Sequence, residues 1–567
     1  MKIKLLLSAC ALQALLSGIA FSSIPDGASY YTSRPSDPDA VYFTAENFGI
    51  TNDGRTDISV PLQAAIDKLK LENNFGIIFI PEGTYTISRT IYIPGAIRLI
   101  GYGKKRPLII LKKNSPGFRD PVATDKGKSS YMFWFTSSVV EPGKPVNDAG
   151  AGTFYSALTN INLRIDDGNP SAIALRTHFA QHSYVSHCDI RIGNGRAGVF
   201  DIGNEMDDVR FYGGDFGIIT TKASPGWQFM MLDTYFEGQR KAAIKTQQAG
   251  LTIVRMSVKN TPAVVQVDSN YWEKLFMEDC RFENVTGPAI SFDNEGNANM
   301  QVNLRNISCK NVPEVIRYGR SNTTTEAPAP VFRIRKYSYG LQMKDIDSAA
   351  VFKVVCETEK LMEMPAGLTS DIPPLPAMGT WINIRDLGAR GDGITDDSRV
   401  IQEAIDKYQS IYFPQGSYRI STTLKLRSST ALIGLHPIAT QLVLGESTPA
   451  FSGFGAPVPM VGTPQGGNNI ITGIGISTGE YNYRAVALKW MSGKNSMVED
   501  VKLVGGHGTM VKGPYVPWRG YGSQGSKPAP VPGADPAWDT QYWSLWVTNG
   551  GGGIFKNIWT GIPAVGE

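Results

Sequence analysis

Short apolar runs alternate with polar positions along most of the chain, and Asn, Asp and Gly separate the runs. Between about Leu158 and Val315 such segments follow one another, among them LTNINLRID, VSHCDIRI and FMMLDTYFEG, and they predict short β-strands joined by turns. Apolar residues recur there every 22 or 23 positions: Val209, Leu232, Val254 and Phe276. A repeat made only of strands and turns cannot bury its apolar face alone and must stack on its neighbours. The pattern predicts a parallel β-helix, because the regular Leu-x-x-Leu-x-Leu spacing of leucine-rich repeats is missing.

One stretch of the chain occurs twice. NDGRTDISVPLQAAIDKL begins at Asn52, and GDGITDDSRVIQEAIDKY begins at Gly391. Identical residues pair at one constant offset: Asp53 with Asp392, Gly54 with Gly393, Gln63 with Gln402 and Asp67 with Asp406. After a helix of different length the copies match again: Pro81 with Pro414, Tyr85 with Tyr418 and Gly101 with Gly434. The repeat predicts a tandem of two similar modules.

Each module begins with a Thr-Asp pair and an apolar i, i+3, i+4 pattern, which in the first copy comprises Leu62, Ala65 and Ile66. This pattern predicts an N-capped amphipathic helix that covers the N-terminal end of a stack of strands. The predicted fold class is therefore all-β, with two tandem parallel β-helices, each capped N-terminally by a helix.

Proline-rich and glycine-rich segments set the predicted domain limits. The Pro-rich segment MPAGLTSDIPPLPAMG is predicted to be an irregular connector. The first module is then expected over residues 38–363, the connector over 364–380 and the second module over 381–567. A second Pro/Gly-rich stretch inside module two is predicted to be a long loop that carries Tyr515, Trp518 and Tyr521.

The N-terminus predicts a targeting segment. Positively charged MKIK precedes an apolar run and a small-residue cleavage site, so residues 1–20 are predicted to be a signal peptide. LSAC, which ends at Cys10, leaves lipoprotein anchoring as an alternative. No later apolar run reaches the length that spans a bilayer. The expected location is secreted, periplasmic or at the cell surface, and the expected state is a monomer.

Composition narrows the possible partners. The formal net charge of +4 is too mild to indicate nucleic acid, and it gives no reason to favour a strongly acidic polymer. No cofactor or metal is predicted, because His178, His182 and His187 alternate along a strand without assured convergence. Three cysteines inside strand segments are expected to be small core residues, with a disulfide between adjacent coils as the alternative: Cys188, Cys280 and Cys309.

These motifs resemble those of a known protein superfamily. The paired (N/G)DG-x-TD, Q-x-AID and P-x-G-x-Y signals resemble the pectate-lyase-type, rhamnogalacturonase/epimerase-like superfamily of right-handed parallel β-helices. The tandem arrangement is most similar to glycoside hydrolase family 55, exo-acting, inverting β-1,3-glucanases with a cleft between two β-helices. Further matches are RTHFAQHSYVSHCDI, RAVALKWMSGKNSMVEDVKLVGGHGT and WDTQYWSLWVTNGGGGIFKNIWT. The resemblance implies a carbohydrate-active glycoside hydrolase whose partner is a polysaccharide, either a β-glucan or a pectic polymer.

The resemblance also implies site residues. AQHS matches the family segment whose glutamine faces the cleft, so Gln181 is predicted to bind substrate. Trp490 and Trp538, which lie in matching segments, and Trp518, which lies in the predicted loop, are the other predicted sugar contacts.

The catalytic residues have no matching family segment in this sequence. Inverting hydrolysis needs a carboxylic acid and a second group that activates water, and the family places them in segments resembling EHH and QTETPY. Neither segment occurs here, which is expected if the chain is a fragment; relocated chemistry in a shorter protein is the alternative. Candidate carboxylates are Glu205, Glu480 and Asp539 first, with Asp208, Glu237 and Asp535 behind them.

Two other function classes stay open. One is a polysaccharide lyase or polygalacturonase-like enzyme that acts on pectic polymers. A lyase needs an Arg or Lys base, usually with calcium bound by clustered Asp residues, and no such cluster is evident in the strands. A β-helix adhesin or tailspike binds glycans without cleaving them. With the expected acid segments missing, the chain as given is predicted to bind β-1,3-glucan weakly and to hydrolyse it little.

Overall fold

The structure of the chain is a computed structural model. It describes residues 27–561 except 121–122, 125–126, 129, 224–225, 227, 446, 454, 480–481 and 505–543. The predicted signal peptide and Cys10 lie outside the described residues. Strands dominate and helices are few, so the predicted all-β class is confirmed.

The first group of strands, which we call the first stack, forms three parallel rows. Its first row contains Val41–Tyr42, Gly76–Pro81, Ile97–Tyr102, Ala157–Thr159, Phe229–Leu232, Leu251–Val254 and Lys274–Glu278. Its second row contains Asp53–Asp57, Thr84–Ile87, Leu108–Leu111, Asn162–Ile165, Tyr235–Glu237, Ser257–Thr261 and Arg281–Val285. Three longer strands take part in both rows: Tyr184–Gly193, Glu205–Gly213 and Gln301–Lys310.

The third row of the first stack is a separate sheet. It contains Ile91–Pro94, Ser130–Thr136, Ala172–Arg176, Ala197–Phe200, Phe216–Thr220, Ala242–Thr246, Val265–Val267, Pro288–Phe292, Glu314–Tyr318 and Thr323–Glu326. Antiparallel pairing appears where the stack ends, at Thr323–Glu326, Val331–Gln342 and Val351–Lys360, and in a small hairpin of Ala123–Thr124 with Gly127–Lys128.

The remaining strands form the second stack, which repeats the three-row plan on a smaller scale, with every pair parallel. Its first row contains Ile382–Asn383, Ser410–Tyr412, Ala431–Ile433, Ile470–Thr472, Met497–Glu499 and Ile554–Lys556. Its second row contains Asp392–Asp396, Gly416–Ile420, Thr440–Leu444, Gly475–Ser477, Lys502–Val504 and Trp559–Gly561. Its third row contains Leu424–Lys425, Val458–Gly462, Ala485–Trp490 and Leu545–Val547.

The 22 to 23 residue recurrence corresponds only in part to the stacking register. Leu232 lies directly opposite Val254, as the spacing requires. On its other side, however, Leu232 lies opposite Asp207 instead of Val209, and Phe276 lies opposite Thr252 instead of Val254. The turns between strands differ in length from one coil to the next, so a fixed sequence period follows the register only over neighbouring coils.

A helix stands at the start of each stack. The helices Ser59–Asn73 and Ser398–Lys407 bury their apolar faces in the cores of the first and second stack, respectively. The first begins later than the predicted Thr-Asp cap, because residues 53–57 form a strand. Asp57 still supplies a hydrogen-bond acceptor at the start of the helix. Its Oδ1 accepts hydrogen bonds from the Ser59 N–H and hydroxyl at 2.9 and 2.6 Å. Two 3-10 turns, Met378–Thr380 and Ile384–Leu387, and the short helix Ala45–Phe48 complete the helical elements among the described residues.

The duplicated residues make the same bonds in both stacks. The Gln63 side chain donates to Tyr92 O at 3.0 Å and accepts from Tyr92 N–H at 2.7 Å, which ties the helix to the third row. Gln402 makes the equivalent pair with Lys425 at 3.1 and 2.9 Å. The repeated Q-x-AID motif therefore encodes a helix-to-sheet clamp.

The two stacks pack on each other through their first rows. A hydrophobic core between them joins Phe79 and Ile100 of the first stack to Tyr412 and Ile433 of the second. Met378, at the end of the Pro-rich connector, also packs there and forms a single 3-10 turn where irregular structure was predicted. Three cysteines are buried and free, as expected for core residues, and Cys356 is exposed and free.

Candidate functional site

A cavity of about 540 Å³ opens between the two stacks. We call it the inter-stack cavity. The first stack lines it with Gln181, His182, Asn204, Glu205, Gln228 and Met230, and the second stack with Phe555, Lys556, Asn557, Ile558 and Trp559. Because both stacks supply its walls, the cavity exists only when they are associated.

Strand geometry places one side of the cavity. Glu205 and Asp207 lie two positions apart on the strand Glu205–Gly213, so both point to one face while Met206 enters the core. On the second stack, Glu499 and Lys556 are cross-strand partners of adjacent parallel strands. The two faces meet, and all four charged side chains converge.

Lys556 lies at the centre of this carboxylate cluster. Its Nζ is 2.8 Å from Glu205 Oε1, 2.7 Å from Asp207 Oδ2 and 2.6 Å from Glu499 Oε1. The three carboxylates lie close enough to hold a metal ion, but here the lysine ammonium takes the central place. One cation facing three acids leaves an excess of negative charge in a buried setting, which favours protonation of one carboxyl.

Glu205 is the carboxylate of this cluster that lines the cavity, next to Lys556. Burial raises the pKa of its carboxyl, and against the opposing charge of Lys556 the nearby Glu499 raises that pKa further. A carboxyl with a raised pKa beside a cavity has the protonation behaviour that a general acid needs.

A second polar cluster lies next to the first. His182 is fully buried, and its Nδ1 lies 3.0 Å from Asp500 Oδ1 of the second stack. Although burial alone would raise the pKa of Asp500, the charge of Arg98 and the hydrogen bond from His182 hold it below its ordinary value. An ionised Asp500 only accepts hydrogen bonds, so His182 carries its proton on Nδ1.

Two buried acceptors on the cavity wall have no hydrogen-bond partner among the residues that the structure describes. They are His182 Nε2 and Gln181 Oε1. Leaving a buried polar atom unpaired costs about 1–3 kcal/mol, so these positions favour a ligand or water that donates hydrogen bonds. The remaining polar wall is already engaged: Asn204 Nδ2 donates to Ser183 O at 2.8 Å and to Asn557 Oδ1 at 2.9 Å.

Aromatic rings cover the same region. Trp559 lines the cavity, with its ring centroid 6.2 Å from that of His182, and Tyr155 stacks on His182 at 5.1 Å. Lys502 Nζ sits 4.4 Å from the Trp559 centroid and donates to the Tyr155 hydroxyl at 2.6 Å. Burial lowers the pKa of Lys502 to about 7. The wall therefore combines hydrogen-bonding atoms with ring faces of the kind that sugars contact.

The structure brings together two of the predicted site residues, Gln181 and Glu205. Trp490 lies elsewhere: its side chain is fully buried in the core of the second stack, and its Nε1–H donates to Gly552 O at 2.9 Å. Trp490 does not line the inter-stack cavity, so the structure makes it a core residue instead of a groove contact. Trp518, Trp538, Glu480 and Asp539 lie outside the described residues, as does Asp535.

The two remaining candidate carboxylates serve local structure. Asp208 Oδ2 accepts from Arg106 Nη2 at 2.9 Å and lies 3.0 Å from His187 Nδ1. Glu237 accepts from the Tyr235 hydroxyl at 2.7 Å. Neither residue lines the inter-stack cavity.

Sequence reasoning missed the partners from the second stack. Lys556 and Trp559 fall within IFKNIWT, part of the most distinctive matching segment, but their roles depend on which residues face them across the interface. His182 was considered only as a metal ligand. Its position beside Gln181 in AQHS was the available signal.

Comparison with known proteins assigns the chain to a family. The family model described as rhamnogalacturonase A/epimerase, pectate lyase-like matches residues 42–287 and 381–512. The chain belongs to this family. Each matched segment contains one copy of the duplicated motif, and the predicted membership of the pectate-lyase-type superfamily is confirmed.

Curated relatives match over different lengths. A probable glucan endo-1,3-beta-glucosidase of Arthroderma benhamiae is 34% identical over 92 residues, which is 16% of this chain and 10% of the relative. A glucan 1,3-beta-glucosidase of Cochliobolus carbonum is 20% identical over 461 residues, which is 74% of this chain and 55% of the relative. The chain thus spans a tenth of the first and about half of the second.

Solved structures include the catalytic unit of a thermostable GH87 alpha-1,3-glucanase from Streptomyces thermodiastaticus. It shares 10% identity and a TM-score of 0.35, with 84% of this chain and 69% of that chain covered.

Proposed function

We propose that the protein is a glycoside hydrolase that acts on glucan in the inter-stack cavity. The observation that carries this proposal is the position of Glu205, a carboxyl with a raised pKa, on the same cavity wall as the unpartnered acceptors of Gln181 and His182. The relatives named as glucan 1,3-beta-glucosidases support glucan as the substrate class. Glu205 is proposed as the acid that protonates the leaving oxygen, which is the relocated chemistry that the sequence left as an alternative.

We further propose β-1,3 linkage, exo action and inversion as the specific activity, on the strength of the family resemblance and of the tandem plan. In this proposal the two stacks are tandem right-handed parallel β-helices with the limits predicted from the sequence. The proposed location is secreted or at the cell surface after removal of residues 1–20, and the proposed state is a monomer. Among the described residues, no helix has the length and apolar character needed to cross a membrane.

A lyase acting on a pectic polymer is the competing activity. It would need a cation, usually calcium on clustered acids, to neutralise a uronate carboxylate, whereas Lys556 takes the central place among Glu205, Asp207 and Glu499. The charge of Lys556 is already shared by these three carboxylates. The charge balance therefore favours a neutral sugar.

Two assays run in parallel test the proposal. Reducing-sugar release is measured on laminarin, and absorbance near 235 nm, which reports an unsaturated uronate, is measured on polygalacturonate. With Glu205 as the acid, glucose release with inversion is the expected result, in place of the weak hydrolysis expected from the missing family segments alone. A signal at 235 nm would replace the hydrolase with a lyase, and binding of laminarin with no release would favour the non-catalytic glycan-binding alternative.

A further inference from the structure

We infer that His182, oriented by Asp500 from the opposite stack, is the residue that accepts a hydrogen bond from an O–H group in the inter-stack cavity. The O–H group belongs either to a sugar hydroxyl or to a water. The inference deepens the proposed function and rests on it. It assigns a role to a residue that sequence reasoning considered only for metal binding.

The first step is the tautomer of His182. Asp500 Oδ1 also lies 3.4 Å from Asn557 Nδ2, and Arg98 donates to both carboxylate oxygens, at 2.5 and 3.1 Å. Asp500 is thus surrounded by donors and acts as an acceptor toward each of them. With the Nδ1 proton directed at this carboxylate, the lone pair of His182 lies on Nε2.

The second step is the rigidity of the ring. Tyr155 stacks on one side of the imidazole with an interplanar angle of 20°. The His182 carbonyl accepts from Arg98 Nη2 at 3.0 Å, and its backbone φ of 54° lies in the left-handed region. An imidazole held by stacking, by a side-chain bond and by its own backbone keeps Nε2 in a fixed direction.

The third step is the unmet acceptor. Nε2 is buried and lacks a partner among the described residues, and the residue lines the cavity. The adjacent Gln181 Oε1 is in the same state. Two neighbouring acceptors without donors match a molecule rich in O–H groups and disfavour one that presents carboxylates.

Asp500 and Arg98 are positioning residues in this arrangement. Neither residue lines the inter-stack cavity, but they fix the His182 ring that does. Because His182 and Arg98 come from the first stack and Asp500 from the second, relative displacement of the stacks would release the imidazole. Binding in the cavity is therefore coupled to the packing of the two stacks.

The test compares His182→Gln with His187→Gln in the full chain. His187 is a matched control, since its Nδ1 also lies 3.0 Å from an aspartate, Asp208, but it does not line the inter-stack cavity. Binding of laminaritriose is measured by calorimetry, and turnover of laminarin by glucose release. We expect His182→Gln to weaken binding or turnover by about 10-fold or more, and His187→Gln to change neither by more than about 2-fold.

The pattern of loss separates the two O–H sources. A higher Kd with kcat nearly unchanged indicates a sugar hydroxyl, whereas a lower kcat with Kd unchanged indicates a water. Asp500→Asn is the second variant, because its amide can present a donor to Nδ1 and move the proton to Nε2, which removes the acceptor. It should reproduce the loss with His182 still present, and it keeps the inference testable if His182→Gln does not fold.

Three results would overturn the inference. Equal losses in the two histidine variants would assign both to general structure. Unchanged binding and turnover in His182→Gln and in Asp500→Asn would remove His182 from the site while leaving the proposed function intact. Wild-type protein that neither binds nor cleaves any glucan would remove the proposed function and the inference together.

Discussion

Arg98 of the first stack and Asp500 of the second form a two-point ion pair across the interface. The two guanidinium nitrogens lie 2.5 and 3.1 Å from the two carboxylate oxygens, and the side chains are 0% and 5% exposed. Arg98 also donates to the carbonyls of Tyr155, His182 and Leu435. One arginine thus ties the two stacks together and supports the histidine on the cavity wall.

Removing this arginine should destabilise the protein strongly. Arg98→Met leaves Asp500 buried without its cation, and breaking a buried pair by removing one partner costs about 3–5 kcal/mol. Equilibrium unfolding in urea measures the change. The control is Arg399→Met, which removes an exposed i, i+4 pair with Glu403 and should cost no more than about 0.5 kcal/mol. Similar losses in both variants would show that the inter-stack pair has no special weight.

The sequence predicted much of the fold because its signals are local. The Gln63 and Gln402 clamps, the apolar helix faces and the strand-turn alternation all arise from short segments that appear twice. The stacking register was predicted less well, since Leu232 lies opposite Asp207 and Phe276 opposite Thr252, which their spacing did not indicate. Register depends on turn lengths summed over several coils.

The candidate site was predicted only on its first-stack side. Gln181 and Glu205 lie in the cavity, but their partners Asp500, Lys556 and Trp559 are several hundred positions away and meet them only across the interface. Trp490 shows the opposite error. A tryptophan in a matching segment suggested sugar stacking, yet core packing places it where no ligand reaches.

Substitution of Gln181 should affect binding without affecting stability. Gln181→Ala removes an amide whose Oε1 has no partner in the described part of the chain, so little native bonding is lost, while a bond to the ligand disappears. We expect laminari-oligosaccharide binding to weaken by about 5- to 10-fold and the melting temperature to stay nearly constant. Gln247→Ala serves as the control, because Gln247 bonds to Asp268 away from the cavity. A large drop in melting temperature with unchanged binding would instead assign Gln181 a structural role.

Stability should rise with pH above neutrality because of Lys502. Burial lowers the pKa of this lysine to about 7 in the folded protein, below its ordinary value, so the unfolded chain binds more protons between the two values. The stability contribution is therefore reduced below about pH 7 and recovers as the pH rises toward the unfolded value. Unfolding free energies of wild type and Lys502→Met at pH 6, 7.5 and 9 check this. The variant should show a smaller rise, because Lys70, whose pKa burial lowers to about 8, still contributes in the same direction, and an identical pH dependence in both proteins would contradict the prediction.

The last prediction separates the acid from its neighbours in the carboxylate cluster. Glu205 and Asp207 both bind Lys556, at 2.8 and 2.7 Å, but only Glu205 lines the inter-stack cavity. Glu205→Gln keeps the shape and removes the transferable proton, so glucose release from laminarin should fall by about 10²- to 10⁴-fold while laminaritriose binding changes little.

Asp207→Asn is the matched variant for this experiment. It makes the same carboxyl-to-amide change at the other first-stack partner of Lys556, so it tests whether disturbing the contacts of Lys556 is enough to lower the activity. If Glu205 is the proton donor, Asp207→Asn retains most of the activity, and in wild type the rate falls as the pH rises through the raised pKa of Glu205. Equal losses in the two variants would mean that the cluster acts only to hold the stacks together, and the acid would then have to be sought elsewhere in the protein.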